Sequence, residues 1–594
     1  MEKKALVAVL DEMGTLLELQ GANPFKSRAF HNASRAIDGI TQDIGALVRS
    51  GEILEVDGIG KTIAGVISDL VERGKSKDYD QLRKSIPSGV LEMLRIQGLG
   101  PKKVKLLYEK LKIKSIDDLE KMAKSEKVKN LDGFGEKSAE NILRGISALR
   151  RISAKSLYPK AAAAAQKVFA PLVKQREIIR AEIAGSLRRR KEIIGDIDIV
   201  VSAKDVHCLK LMDLFVSDPS VATIVAKGET KSSVVLSDGI NCDLRIVRDE
   251  EFPFALNYLT GSKEHNVEMR SRARKYGWTL NEYGFSELGA SEKRGKAKRI
   301  KPARRSAAFR HAGVKCKDES DIYKALDLEY VEPELRENMG EVEAAERGDL
   351  PKLLEINDIC GTFHCHTTYS DGVNTLEEMA SAARKLGWEY IGIADHSKAV
   401  AYARGMTEER VKQQHAKIDA LNRQSGGFRI LKGTECDILA NGDLDWPDKT
   451  LERFDHVIAA IHSGFNLSEA EMTKRIIKAL KNKYVTMLGH PTGRLLLSRD
   501  GYPVDMIQVI NAASDYGKSI EINAHPLRLD LDWRLCKYAK EKGVMVAINP
   551  DAHNVEGLND ISYGVDIARK GWLEKRNVLN TFGMNGVLEY FQRS

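Results

Sequence analysis

The chain has no paired cysteines of the CxxC kind. Its seven cysteines occur singly along 594 residues. That excludes a zinc ribbon and a disulfide framework, and it fits a reducing cytoplasm. No apolar stretch reaches membrane-spanning length. The first apolar run, ALVAVL after Lys3 and Lys4, stops at Asp11 and is too short for a secretory core. These absences predict a cytoplasmic protein with no membrane partner. An excess of one sign of charge is also lacking: the formal net charge is only +8, and the basic clusters lie in the first 320 residues. Hydrophobic content of 42% and charged content of 30% are those of ordinary globular proteins, and the length implies several domains.

What is present begins with residues 185–201, GSLRRRKEIIGDIDIVV, and with INCDLRIV further on. On a strand, Asp196 and Asp198 share a face while Ile197 and Ile199 turn to a core. In the second segment Cys242, Leu244 and Ile246 form the apolar face, leaving Asp243 and Arg245 opposite. If the two strands pair, three carboxylates converge and need a cation. Oxygen-only clusters suit Mg²⁺ or Mn²⁺, and two such ions about 3.5–4 Å apart serve in-line phosphoryl transfer. Gly185 and Ser186 precede Arg188, Arg189, Arg190 and Lys191, a glycine turn and guanidinium forks suited to phosphate oxygens.

Three N-terminal segments repeat one signal: VDGIGKTIAGVI, IQGLGPKKVKLL and LDGFGEKSAENIL. Each places Gly-x-Gly before a helical pattern: Gly58 and Gly60, Gly98 and Gly100, Gly133 and Gly135. Each has a nearby lysine: Lys61, Lys102 and Lys137. A glycine turn opening a helix offers backbone N–H groups to a phosphate. Residues 293–317 hold eleven Lys/Arg and no Asp or Glu, either a solvated loop or a duplex-contacting element.

Beyond residue 357, short β-branched runs alternate with amphipathic helices, which predicts a parallel sheet or (β/α) barrel. The run ends carry His364, His366, Asp371, His396, Glu435, His462, His490, Asp551 and His553. Residues at the C-terminal ends of barrel strands build active sites, and these nine can hold two or three divalent ions. Mixed imidazole and carboxylate sets favour Zn²⁺, Mn²⁺ or Fe²⁺. His415, His456 and His525 have no matching pattern and read as ordinary.

With GS…GDxD, the distant Asp243 and NYLTGSKEHNVEMR at 257–270, the chain resembles the family X DNA polymerases. The Gly-x-Gly segments resemble helix-hairpin-helix modules. HCHTTYSDG, ADHS, GTECDI, IHSGF, GHPTGR and PDAH resemble the PHP (polymerase and histidinol phosphatase) family. The combination is similar to the bacterial and archaeal members of family X.

The resemblance implies a multidomain α+β and α/β protein. Its parts would be a helix-hairpin-helix DNA-end-binding domain at 1–90, a second and third hairpin at 91–150 and a nucleotidyltransferase palm at 151–250. A nucleotide-selecting subdomain or thumb with the basic insertion would follow at 251–335, a linker at 336–356 and a distorted (β/α)7 PHP barrel at 357–594. It implies catalysis by Asp196, Asp198 and Asp243. Gly185, Ser186, Arg189, Gly195 and Arg245 would serve the triphosphate. Tyr258 and Gly261 would shape the sugar pocket, Asn266 the base edge, and Arg270 the minor groove. Leu259 and Ile194 depart from the animal enzymes, which have an aromatic and a serine there.

Two Mg²⁺ or Mn²⁺ are expected in the palm and up to three Mn²⁺ or Zn²⁺ in the barrel. One barrel ion would sit on His364, His366, Glu435 and Asp551, one on Glu435, His462 and His490, and one on Asp371, His396 and His553, with Arg494 as a phosphate clamp. A monovalent cation, K⁺ or Na⁺, is expected on the hairpin carbonyls of 54–59 and 94–99. Implied partners are gapped or primer-template DNA and deoxynucleoside triphosphates, bound by a monomer. The implied function is gap filling in base excision repair with 3′–5′ exonuclease or 3′-end processing, and cleavage at abasic sites. Val66 stands where animal enzymes carry a Schiff-base lysine, which argues against lyase activity. Phe25, Lys26, Arg28 and Phe30 read as single-strand contacts. The competing reading is a DNA-end-binding nuclease or phosphatase whose polymerase half is only a scaffold.

Overall fold

A computed structural model describes the whole chain except residues 1–2, 40–43, 57, 95, 97–98, 132, 154, 288–313, 401–402 and 594. Gly98, parts of the two carbonyl stretches and most of the basic segment therefore lie outside the described residues. The chain forms two compact units, Met1–Ser153 and Ala154–Ser594. None of its described helices is long and apolar enough to cross a membrane.

The first unit is helical. The helix Lys61–Arg73 buries Ile63, Ala64, Val66, Ile67 and Leu70, the spacing of one helical face. The described residues of the three Gly-x-Gly turns share two hydrogen bonds. The residue between the glycines donates three residues back: Ile59 to Val56, Leu99 to Ile96 and Phe134 to Leu131, at 2.9–3.0 Å. The second glycine then accepts the first helical bond, from Ala64, Val104 and Ala139 respectively. Gly58 and Gly133 have φ of 85° and 80°, left-handed values that a side chain would strain. A Cβ at Gly58, Gly60, Gly100, Gly133 or Gly135 would meet open space. Lys61, Lys102 and Lys137 are exposed.

In the second unit a five-stranded sheet runs in the order Ile178–Ile183, Asp196–Ala203, Asn241–Val247, Lys231–Leu236, Val221–Lys227. Ile197, Ile199, Cys242, Leu244 and Ile246 pack on one face, as the alternation predicts. Val200 and Val247 pack on the other, against Phe252, Ala255 and Leu256. The central strands are thus sandwiched, and their three carboxylates lie toward one end. Ile194 is fully buried in the first of these cores, which explains an apolar residue there.

Residues 336–356, expected as a linker, are instead part of a packed layer. Arg336 is fully buried, and Val342, Ala344 and Ala345 join the core of Phe254, Met269 and Trp278. Part of the charge in that stretch is internal: Arg336 pairs with Glu319 at 2.6 Å and Glu341 with His265 at 2.7 Å, while Glu343, Glu346, Arg347 and Asp349 stay exposed.

The last seven strands, Gly361–Thr362, Tyr390–Ile393, Arg429–Asp437, His456–Ala460, Met487–Leu488, Ser519–Asn523 and Val546–Asn549, are parallel and hydrogen-bonded in sequence order. A parallel bridge between Cys365 and Ala552 draws the first and last together. The result is the expected seven-stranded barrel, nearly closed.

Candidate metal centres

In the sheet, Asp196 pairs with Asn241 and Asp198 directly with Asp243, in parallel register. The three carboxylates therefore end on one face of two adjacent strands. Burial pushes the Asp198 carboxyl up, and the charges of Asp196 and Asp243 push it further, to about 7. Lys231 Nζ sits 2.7 Å from Asp243 Oδ2, a side-chain cation where the cluster calls for one. Gly185 has φ of 66°, and a Cβ on it would lie 2.2 Å from Asp198 Oδ2. Only glycine lets this turn close over the carboxylate. Ser186 and Arg245 are half-buried nearby in sequence, and Gly195 is exposed.

Tyr258, Asn266 and Arg270 line one cleft, with Phe254, Asn257, Leu280 and Asn281. Asn266 Nδ2 donates to Tyr258 O at 2.7 Å and Arg270 Nε to Asn266 O at 3.1 Å. Gly261 lies apart from this lining, against Arg189. Arg189 is buried: its Nε donates to Glu337 Oε1 at 2.9 Å and its Nη1 to Thr260 O.

The barrel gathers the nine predicted ligands at one end. His364, His462, His490 and Asp551 each stand two residues past a strand, and His396 three. Three ligand groups form: His366, Asp371, His396 and His553; His364, His366 and Asp551; His396, Glu435 and His462. His490 joins through Glu435 Oε1, 2.8 Å from its Nε2. The nine come together, and Glu435 Oε2 also lies 3.4 Å from His364 Nε2 and 3.7 Å from His366 Nε2. His366 belongs to two groups, and His396 Nδ1 approaches Glu435 Oε2 at 2.9 Å as well as sharing Asp371.

The electrostatics are self-compensating. Burial raises Glu435, but His396, His462 and His364 overcome it and hold the carboxylate well below its usual range. Burial lowers His462, but Glu435 and Asp437 raise it to about 9. Burial also lowers His553, and its bond to Asp371 raises it to about 9. His364 Nε2 and His366 Nδ1 are buried with no hydrogen-bond partner. Imidazole nitrogens aimed among carboxylates fit a divalent ion, which displaces their protons.

Two carboxylates behind the ligands escape the sequence reading. His364 Nδ1 donates to Glu521 Oε1 at 2.7 Å, leaving Nε2 for a metal. His462 Nδ1 donates to Asp437 Oδ1 at 3.1 Å. Such carboxylates fix tautomer and ring orientation.

Arg494 does not fit a phosphate clamp. Its guanidinium donates to Arg528 O, Asp532 Oδ2 and Leu529 O, bracing the loop. Arg528, whose Nε is 3.7 Å from Asp551 Oδ2, is the guanidinium beside the ligands. In the first unit Val66 is 2% exposed and Phe30 3%; both are core. Phe25 is exposed, with the Arg28 guanidinium 5.0 Å from its ring centroid.

Family models match four parts of the chain: a helix-hairpin-helix domain at 1–76, a SAM-like helix-hairpin-helix tandem at 90–148, a DNA polymerase beta thumb at 255–337 and a PHP domain at 362–525. The DNA polymerase/3′-5′ exonuclease PolX of Bacillus subtilis (strain 168) is 38% identical over 596 aligned residues, all of both chains. A probable phosphatase of Thermoanaerobacter sp. (strain X514) is 32% identical over 229 residues, 37% of this chain and 89% of its own length. One from Vibrio parahaemolyticus is 29% identical over 238 residues, 38% of this chain and 90% of its own. Two metal-ready clusters, the paired strands and an end-to-end relative lead to one assignment: the chain belongs to the family X DNA polymerases that carry a C-terminal PHP domain.

Proposed function

We propose that the chain fills short gaps in DNA during repair and processes 3′ ends with its PHP centre as a 3′–5′ exonuclease. The observation carrying the polymerase half is the register that sets Asp198 against Asp243 beneath Gly185. Two divalent ions, Mg²⁺ or Mn²⁺, would be held by Asp196, Asp198 and Asp243 and supply Lewis-acid stabilisation of the transferring phosphoryl group. The turn at Gly185 and Ser186, with Gly195, Arg189 and Arg245, would orient the triphosphate. Tyr258 and Gly261 would bound the sugar, Asn266 would meet the base edge, and Arg270 the minor groove. The three hairpin turns would grip the backbone without reading sequence, with a K⁺ or Na⁺ on loop carbonyls.

In the PHP domain the nine ligands would hold up to three Mn²⁺ or Zn²⁺, which activate water for phosphodiester hydrolysis. Around them Glu521 and Asp437 orient imidazoles, and Arg528 is placed to meet a phosphate. Abasic sites are a further proposed substrate of this centre. The protein would act as a monomer.

The test is a primer assay on gapped DNA, with and without nucleotides, in Mg²⁺ and then Mn²⁺, with an abasic duplex alongside. Extension with nucleotides and shortening without them are expected. Shortening alone would return the palm to a binding scaffold.

A further inference from the structure

Each cation of the basic run after Ser186 is engaged by a carboxylate of another part of the unit. Arg188 Nη2 lies 2.6 Å from Glu319 Oε2, and Arg189 Nε lies 2.9 Å from Glu337 Oε1; both carboxylates belong to the thumb region. The next residues engage the PHP domain. Arg190 Nη1 donates to both oxygens of Asp566, at 2.9 and 2.8 Å. Trp533 Nε1 donates to Glu192 Oε1 at 3.2 Å.

Glu337 is the node of this arrangement. Arg189 Nε and Lys570 Nζ meet the same oxygen, at 2.9 and 2.5 Å, and Lys191 Nζ lies 3.8 Å from the other. Lys570 ends the PHP helix Ile561–Lys570 and is 1% exposed. Its ammonium also donates to Arg189 O at 3.0 Å and Glu334 O at 3.4 Å, and it lies 4.6 Å from the Trp533 ring centroid. Burial pulls this ammonium down, to about 8, and Glu337 opposes the pull.

Three cations thus share one buried carboxylate. If Arg189 leaves Glu337, Lys570 still neutralises it. A buried carboxylate stripped of every partner would be costly, so without Lys570 the pair Arg189–Glu337 would be hard to open. A triphosphate offers Arg189 an equivalent set of oxygens.

We propose that Lys570, a residue of the PHP domain, is a positioning residue of the polymerase centre. By holding Glu337 it lets Arg189 exchange that carboxylate for the phosphates of an incoming nucleoside triphosphate, while the loop 188–192 stays docked. This rests on the polymerase reading above. It also makes the PHP helix a structural part of the nucleotide site.

The test uses the full-length protein on DNA with a one-nucleotide gap. Nucleotide KM and kcat, 3′–5′ hydrolysis, bound metal and thermal melting are measured together. Lys570→Met is expected to raise nucleotide KM about tenfold, the effect of one lost charge interaction, with a smaller change in kcat. Hydrolysis and bound metal should be retained. Lys570→Arg should restore KM. The double variant Lys570→Met/Glu337→Gln should restore it too, because the carboxylate trapping Arg189 is gone. An unchanged KM in Lys570→Met, or a double variant worse than the single, would overturn the proposal. So would incorporation and hydrolysis falling together. If Lys570→Met does not melt cooperatively, Glu337→Gln alone decides: a lower KM supports exchange and a higher one refutes it. A wild type that does not incorporate at all would remove the polymerase reading itself, before any variant is compared.

Discussion

Asp198, half-buried, and Glu435, buried, are both carboxylates in clusters shaped for cations, yet one is pushed up and the other down. Burial raises both. Around Asp198 the neighbours are Asp196 and Asp243, which add to the rise and carry it to about 7. Around Glu435 they are His396, His462 and His364, which reverse it. The palm cluster is short of positive charge, and the barrel cluster supplies its own. An all-carboxylate site therefore suits ions that arrive with an anionic substrate. A mixed site, with Glu521 and Asp437 behind its imidazoles, is organised before any ion arrives and suits resident metal.

The largest expected effects test whether the two centres are separate. Asp198→Ala removes the carboxylate at the heart of the palm cluster. It should cut incorporation by about 10³-fold or more, the scale of a lost transition-state electrostatic group, and spare hydrolysis. Asp196→Ala and Asp243→Ala should behave alike. Glu435→Ala should do the reverse, abolishing 3′–5′ hydrolysis and emptying bound transition metal while gap filling continues. Primer assays and elemental analysis on each variant read both arms. Loss of both activities in a folded Glu435→Ala protein would break the comparison.

Next in size is the carboxylate behind the barrel ligands. Glu521→Gln keeps the volume but weakens the hold on His364 Nδ1. Metal content or hydrolysis should fall about 10–100-fold, with incorporation unchanged. A wild-type metal content would show that His364 needs no orienting partner.

Glu521 also shows where reading the sequence stopped. Asp196 and Asp198 were visible because i and i+2 share a strand face, between isoleucines that face the core. The segment SIEIN has the same form: Ile520 and Ile522 are fully buried in the outer core, and Glu521 and Asn523 point to the barrel interior. Both Glu435 and Glu521 lie inside strands, but Glu435 stands in the motif GTECDI and no such motif surrounds Glu521. Six of the nine ligands are histidines, and a histidine after a β-branched run is a local pattern; Asp371, Glu435 and Asp551 stand in the motifs HCHTTYSDG, GTECDI and PDAH. The sharing of His366 between two groups is not a local pattern, since it arises from contacts between distant strands. Arg494 and the stretch 336–356 misled for a related reason. A charged residue in sequence reads as solvent-facing, but Arg494 and Arg336 are satisfied by carbonyls and carboxylates that only the fold brings near.

A smaller effect follows from the charge shortage in the palm. In the metal-free protein burial and the charges of Asp196 and Asp243 push the Asp198 carboxyl up to about 7, from an ordinary 3.8. Between these values the folded state holds a proton that the unfolded state has lost. Stability from this group is therefore greatest below pH about 4 and declines as pH rises to about 7. Above that it is constant. Excess Mg²⁺ should displace the proton and flatten the slope. Urea unfolding between pH 5 and 8, with chelator and then with Mg²⁺, checks both the direction and its removal. A slope that Mg²⁺ leaves unchanged would place the titration elsewhere.

The smallest expected effect is none at all, and it asks whether a third, metal-free centre exists beside the two. Strand cleavage through an imine needs a neutral lysine that reaches the abasic sugar. Val66 lies in the core of the first unit with Ile63, Ile67 and Leu70, so neither its chemistry nor its direction serves. Lys61 and Thr62 are exposed on the first turn of the same helix, but Lys61 follows Gly60 at the helix start, where it would meet a backbone phosphate rather than the sugar. Borohydride trapping on a 5′-deoxyribose-phosphate end should therefore stay at background, and Lys61→Ala should weaken gapped-DNA binding without changing trapping. The slope of log affinity against log salt should fall by about one, as for one lost phosphate contact. Efficient trapping that disappears in Lys61→Ala would show that the hairpin lysine bends to the sugar. The chain would then carry a lyase that needs no metal, and the two-centre account would be incomplete.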